Sequence, residues 1–185
     1  MKSKATILKV KILKVGIYMN KLLFSSITLS FFLCLIQTSL FAHIPFFLIT
    51  ADLMLVYTTY LAIHNGSRIS MFMSFGSGLF LDFMSTSPLG LSSFILVFIS
   101  FFLGKLYGKY DLNHFVVPFV LAILAMLTKL GLLVLLHFLF GSTIRIYNMY
   151  EARFWIEVIL NISFAPLLFF ALNRFPTFFK SMSEI

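Results

Sequence analysis

Asp52, Asp82 and Lys129 stand inside runs of Phe, Leu, Ile and Met, where an unpaired charge costs a few kcal/mol. Two carboxylates and an ammonium in such a setting can form a buried ion pair, grip a partner, or build a small ligand or ion site. The sequence predicts that Lys129 pairs with Asp82, Asp52 or both. The simplest role for such a triad is structural, fixing which helices are neighbours; a partner contact and a ligand site are the alternatives. Asp82 carries a further demand. It falls near the end of an apolar run, where a helix dipole disfavours a carboxylate, so a cation or hydrogen-bond donor must stand nearby.

The elements that position these residues follow from composition. The chain has 185 residues, 61% hydrophobic and 11% charged, with a mean hydropathy of +1.04. Soluble domains carry about 25% charged residues, so lipid is the solvent and the chain reads as an all-α integral membrane protein. At 1.5 Å per residue a span needs about 20 apolar residues. Six stretches are predicted to cross as a six-helix bundle: 22–41, 44–63, 69–85, 89–106, 115–140 and 155–172. Breakers separate them at His43-Ile44-Pro45, Asn65-Gly66, Ser87-Pro88 and 111–114. Ser87 reads as an N-cap with Pro88 at the first helical position. The polar stretch after Asp82 is then the turn between spans three and four.

Basic residues set the orientation. With the N-terminus inside, Lys2, Lys4, Lys9, Lys11, Lys14, Lys21, Arg68, Lys105, Lys109, Arg174 and Lys180 face the cytoplasm, while Arg145 and Arg153 lie outside. Both termini are expected in the cytoplasm, and the longest outer loop is "GSTIRIYNMYEAR". Asp52, Asp82 and Lys129 then fall at one depth, about 17–21 Å from the inner ends of their spans. The organisation predicted is a basic cytoplasmic segment over 1–20, a transmembrane domain over 21–174 and a short cytoplasmic tail over 175–185. The basic segment suits an anionic leaflet; alternatively, translation starts at Met19 and residues 1–18 are not native. A cleaved signal peptide is the other reading of the first span, but Leu40-Phe41-Ala42 is a poor cleavage site.

Span three bears a stripe of small residues, Ser70, Ser74 and Gly78, running into Asp82, with Gly76 and Ser77 adjoining. Small residues at four-residue spacing let helix backbones approach closely, here as an intramolecular seam or as an interface with another protein. Gly104 and Gly108 repeat the spacing and serve a turn. Arg153 and Glu157, four apart, read as a local helix pair. Tyr147, Tyr150 and Trp155 suit an interfacial belt. His43, His64, His114 and His137 lie at different span ends without metal-ligand spacing. Hydrolase, zinc-protease, P-loop and Cys-pair motifs are absent, which argues against an enzyme and implies neither cofactor nor metal. One cysteine, Cys34, excludes an internal disulfide. The net charge of +8 reads as membrane topology, with no nucleic-acid partner expected.

The stretch "DLMLVYTTYLAIHNGSRISMFMSFGSGLFLDFMSTSPLGLSSF" resembles the rod shape-determining protein MreD family. The likeness rests on Asp52, Tyr60, Leu61, Ala62, Gly76, Gly78, Asp82, Ser85, Ser87, Pro88, Leu89 and Gly90. Asn161, Ala165, Pro166, Phe169 and Arg174 in "NISFAPLLFFALNR" add a second match, and the resemblance covers roughly residues 20 to 175. It departs at Ala51, where relatives often have proline, and in the Lys-rich extension; Lys129 is not a signature position. The resemblance implies a non-catalytic scaffold of the bacterial cell-elongation machinery in the inner membrane. It implies a fold similar to the substrate-binding subunits of energy-coupling-factor vitamin transporters. It also implies MreC as a partner and, indirectly, MreB and the wall-synthesising transpeptidase and glycosyltransferase. The candidate structural or partner-binding residues are Asp52, Asp82, Lys129, Ser70, Ser74, Gly76, Gly78, Pro88, Gly90, Asn161 and Pro166. A vitamin-transporter subunit is the alternative, and the absence of alanine from residues 22–41 counts against it, since those subunits commonly use an Ala-x-x-x-Ala motif there.

Overall fold

A computed structural model describes residues 20–39, 52–85, 88–109, 116–141 and 150–175. The basic N-terminal segment with Met19, the start of the second predicted span, His43, Ser87, His114, most of the outer loop with Tyr147, and the C-terminal tail lie outside the described residues.

Five helices are present among the described residues, rather than six: α1 (Asn20–Ser39), α2 (Leu53–Met84), α3 (Leu91–Gly104), α4 (Val116–Phe140) and α5 (Ala152–Asn173). The two predicted spans either side of Asn65-Gly66 are arms of one helix, α2. Their junction needs no loop, because the break is confined to Gly66, whose φ of 72° and ψ of 169° lie outside the helical region. A side chain at that φ is disfavoured, so glycine is the residue that can turn the chain there.

Contacts with α1 show how sharply α2 turns. Tyr57 on the first arm donates its hydroxyl to the carbonyl of Ser26 (3.1 Å), while Ser77 on the second arm shares a 2.6 Å hydrogen bond with Ser30. Ser26 and Ser30 are one turn apart, whereas residues 57 and 77 of a straight helix would be about 30 Å apart. The arms therefore fold back on each other. Towards the far end of α1, Gln37 accepts from the Met54 amide (3.3 Å) and Cys34 reaches Met84 (3.6 Å), so both ends of α2 meet there.

The first arm is buried on every side, from Leu53 to Asn65. That is the signature of a helix enclosed by others, and α1, α4 and α5 all touch it. The second arm packs chiefly on α3. Outward-facing residues are large and apolar: Phe24, Phe72, Phe83, Phe138 and Phe170 are each more than two-thirds exposed. In water that surface would aggregate; in lipid it is the expected exterior. Three helices, Asn20–Ser39, Val116–Phe140 and Phe154–Asn173, are long and apolar enough to cross a membrane, and α3 is a shorter apolar helix.

Candidate functional site

Polar side chains gather in two knots and one seam. The seam joins the second arm of α2 to α3 along the small-residue stripe. Ser70 donates its hydroxyl to the Gly66 carbonyl (2.6 Å), tying down the turn, and the hydroxyls of Ser74 and Ser100 bond across the interface. Gly78 lies directly on the backbone of Ser93: a Cβ there would stand 2.7 Å from its nitrogen. Gly78→Ala is therefore expected to force α2 and α3 apart and to cost about 1–3 kcal/mol, read as a lower melting temperature in mild detergent. Gly76 faces away from the seam with nothing against it, so Gly76→Ala serves as the matched control and should leave the melt unchanged or slightly higher, alanine being the better helix former.

The first knot closes the end of that seam away from Gly66. Asp82, buried at 2% exposure, accepts four hydrogen bonds. The Gly90 and Ser93 amides reach Oδ2 at 3.0 and 3.1 Å, the Ser93 hydroxyl reaches it at 2.7 Å, and the Ser92 amide reaches Oδ1 at 2.9 Å. These are the unpaired amides at the N-terminus of α3, which carry the positive end of its dipole. A carboxylate that would be disfavoured at the end of α2 is thus stabilised as the cap of the next helix. The helix starts later than its sequence implies. Gly90 (φ 90°) is the N-cap, and Pro88 lies two residues before it, its carbonyl accepting from the Leu91 amide at 3.2 Å.

The second knot joins α2, α4 and α5. The Lys129 ammonium donates to Asp52 Oδ2 at 2.7 Å and to Glu157 Oε1 at 3.0 Å, each side chain less than 15% exposed. Asp52 stands at the N-cap of α2 rather than within a span, and its Oδ1 accepts from the Leu55 amide at 3.1 Å. Its own amide donates to Asn161 Oδ1 at 2.6 Å. Glu157 and Asn161 lie one turn apart on the same face of α5, and both reach the Asp52–Lys129 pair. Lys129 does not pair with Asp82, because the amides of α3 already occupy that carboxylate.

Glu157 is the member of this knot that sequence reasoning missed, having been assigned to a local pair with Arg153, whose side chain lies outside the described residues. Its spacing from Asn161 was the available signal. Ser93 was missed at the other knot. Pro166 is buried within α5, beside Ala165 and five residues past Asn161, and makes no polar contact in either knot. Among the described residues no group of three His, Cys, Asp or Glu side chains is arranged to hold a metal ion. What the arrangement does chemically is join helices: each carboxylate accepts from a helix N-terminus or from the lysine that links three helices.

A family model described as rod shape-determining protein MreD matches residues 19–175 of the chain. No curated protein matches, and no solved structure matches.

Proposed function

This chain belongs to the MreD family of rod shape-determining membrane proteins, and on that premise we propose that it is a non-catalytic scaffold of the cell-elongation complex. It binds MreC and helps to organise peptidoglycan synthesis, with MreB and the wall-synthesising transpeptidase and glycosyltransferase as indirect partners. It sits in the bacterial inner membrane as a multi-pass protein with both termini in the cytoplasm, in a fold similar to that of the vitamin-transporter substrate subunits. The observation that carries this reading is that the buried charges within the helical bundle serve its own architecture. Asp82 caps α3, while Lys129, Asp52 and Glu157 tie α2, α4 and α5 together. A preorganised frame of that kind suits a protein that positions others, and catalysis then belongs to those partners.

Affinity capture of the tagged full chain from its native cells in mild detergent tests the proposal. Recovery of MreC with the wall-synthesis pair is expected. Recovery of ATPase subunits with a membrane coupling protein would instead make the chain a transporter subunit.

A further inference from the structure

Apart from Lys129, held between two carboxylates, the fold sorts the described charges by end. Asp52, Asp82, Glu151 and Glu157 lie towards the end where α2 begins and finishes. Arg68, Lys105 and Lys109 lie at the opposite end, around the turn at Gly66, together with Lys21 at the start of α1 and Arg174 after α5. Close packing brings the first two of these together: Gly104 rests on Ser67, a Cβ there standing 2.5 Å from its Cα, and Ser67 donates its hydroxyl to the Phe101 carbonyl at 3.2 Å. Arg68 and Lys105 are the next residues along the two helical segments that cross there. Both are exposed, as is Lys109, and Lys105 lies 4.2 Å above the Phe101 ring.

Between Lys105 and Lys109 sits Leu106, which lines an apolar groove of about 180 Å³ running between the end of α3 and the start of α4. Val117, Val120 and Leu124 form its other wall, with Val120 48% and Leu124 38% exposed. A larger groove of about 610 Å³ opens between α3 and α4 at the opposite end, lined by Leu89, Leu136 and Phe140 and by no cation.

We propose that the smaller groove and the cations beside it form a binding site for an anionic phospholipid. Its acyl chain lies along Val117 and Val120, and its headgroup phosphate is held by Arg68, Lys105 and Lys109. Charge complementarity selects the occupant. Among the described residues this end carries cations and no carboxylate, and an apolar groove beside cations matches one molecule with an apolar tail and an anionic head. Arginine supplies paired donors to phosphate, and the lysines act as point charges. The site needs neither MreC nor a particular orientation in the cell.

Native mass spectrometry of the purified full chain tests it, with phosphatidylglycerol and phosphatidylcholine of identical acyl chains added in parallel. The expected result is preferential retention of phosphatidylglycerol, falling roughly fivefold for each cation removed in R68Q, K105Q and K109Q, with phosphatidylcholine unchanged. Val120→Trp, which fills the groove, should reduce retention of both lipids. Variants are compared only where melting temperature matches the parent; the single exposed substitutions R68Q and K109Q supply that comparison if the combined variant does not fold. Equal retention of both lipids by the parent, or an undiminished preference in the charge variants, would overturn the site. So would full retention in Val120→Trp, which would reduce the effect to adsorption on a charged end. Displacement of phosphatidylglycerol by polyglutamate, with the same dependence on the three cations, would overturn it in favour of an acidic protein.

Discussion

Lys129→Met is expected to destabilise the protein by about 3–5 kcal/mol, because it leaves the carboxylates of Asp52 and Glu157 facing each other without their shared cation. Both reach the same ammonium, at 2.7 and 3.0 Å, so they are close enough to repel strongly in a setting that water scarcely enters. In mild detergent the melting temperature should fall by roughly 10 °C or more for a chain of this size. The loss belongs to the broken pairing rather than to the missing lysine. Replacing all three residues together, as D52N, K129M and E157Q, removes the charges with their partner and should recover most of the stability, since buried ion pairs are often close to neutral in net worth. A triple variant no more stable than Lys129→Met would refute that account.

Asp82→Ala should be the next most damaging change, at about 2–4 kcal/mol, because three amides and a hydroxyl at the start of α3 lose their acceptor at once. Part of the loss is recovered by water at the exposed turn around Gly90. Asp82→Asn separates hydrogen bonding from charge. Its single oxygen can take the place of Oδ2 and keep three of the four bonds, while its amide nitrogen faces only the Ser92 amide. About half the destabilisation of Asp82→Ala is expected. Hydrogen exchange should place the change in the first turn of α3, and an effect spread evenly over the protein would count against a local cap.

What the sequence made legible was the class of protein and the residues that matter; what it hid was how they pair. Long continuous apolar runs with a few deeply placed charges dictate a helical bundle in lipid, because a helix satisfies its own backbone there and a barrel strand would alternate apolar with polar residues. The stripe at Ser70, Ser74 and Gly78 is visible because helical period is a local property, and it forms the seam with α3. Asp82 was recognisable as needing a donor, since its place near a helix end is also local. That its donors are the amides of Gly90, Ser92 and Ser93 depends on the chain doubling back within eleven residues. Equal depth made Asp82 look available to Lys129, but depth says nothing of which helices are neighbours. Glu157 stayed hidden for the same reason: its partners come from α2 and α4, and the nearer Arg153 satisfied a local rule. The count of helices differs because a single glycine does what a loop was expected to do. Gly66 reverses α2 with one non-helical residue, so two arms are continuous where the hydropathy shows a dip.

The central claim is that the buried charges hold a scaffold together rather than bind something themselves. Its most direct test is capture of MreC by the D52N, K129M, E157Q variant, expressed as the only copy and matched to the parent in melting temperature. The account predicts parental recovery of MreC and cells of normal rod width, because the Asp52 amide still bonds Asn161 to hold α2 to α5, and the uncharged side chains keep α4 packed against them. A variant that folds as stably as the parent yet loses MreC and rod shape would contradict it, and would make the Asp52–Lys129–Glu157 knot a binding site in its own right.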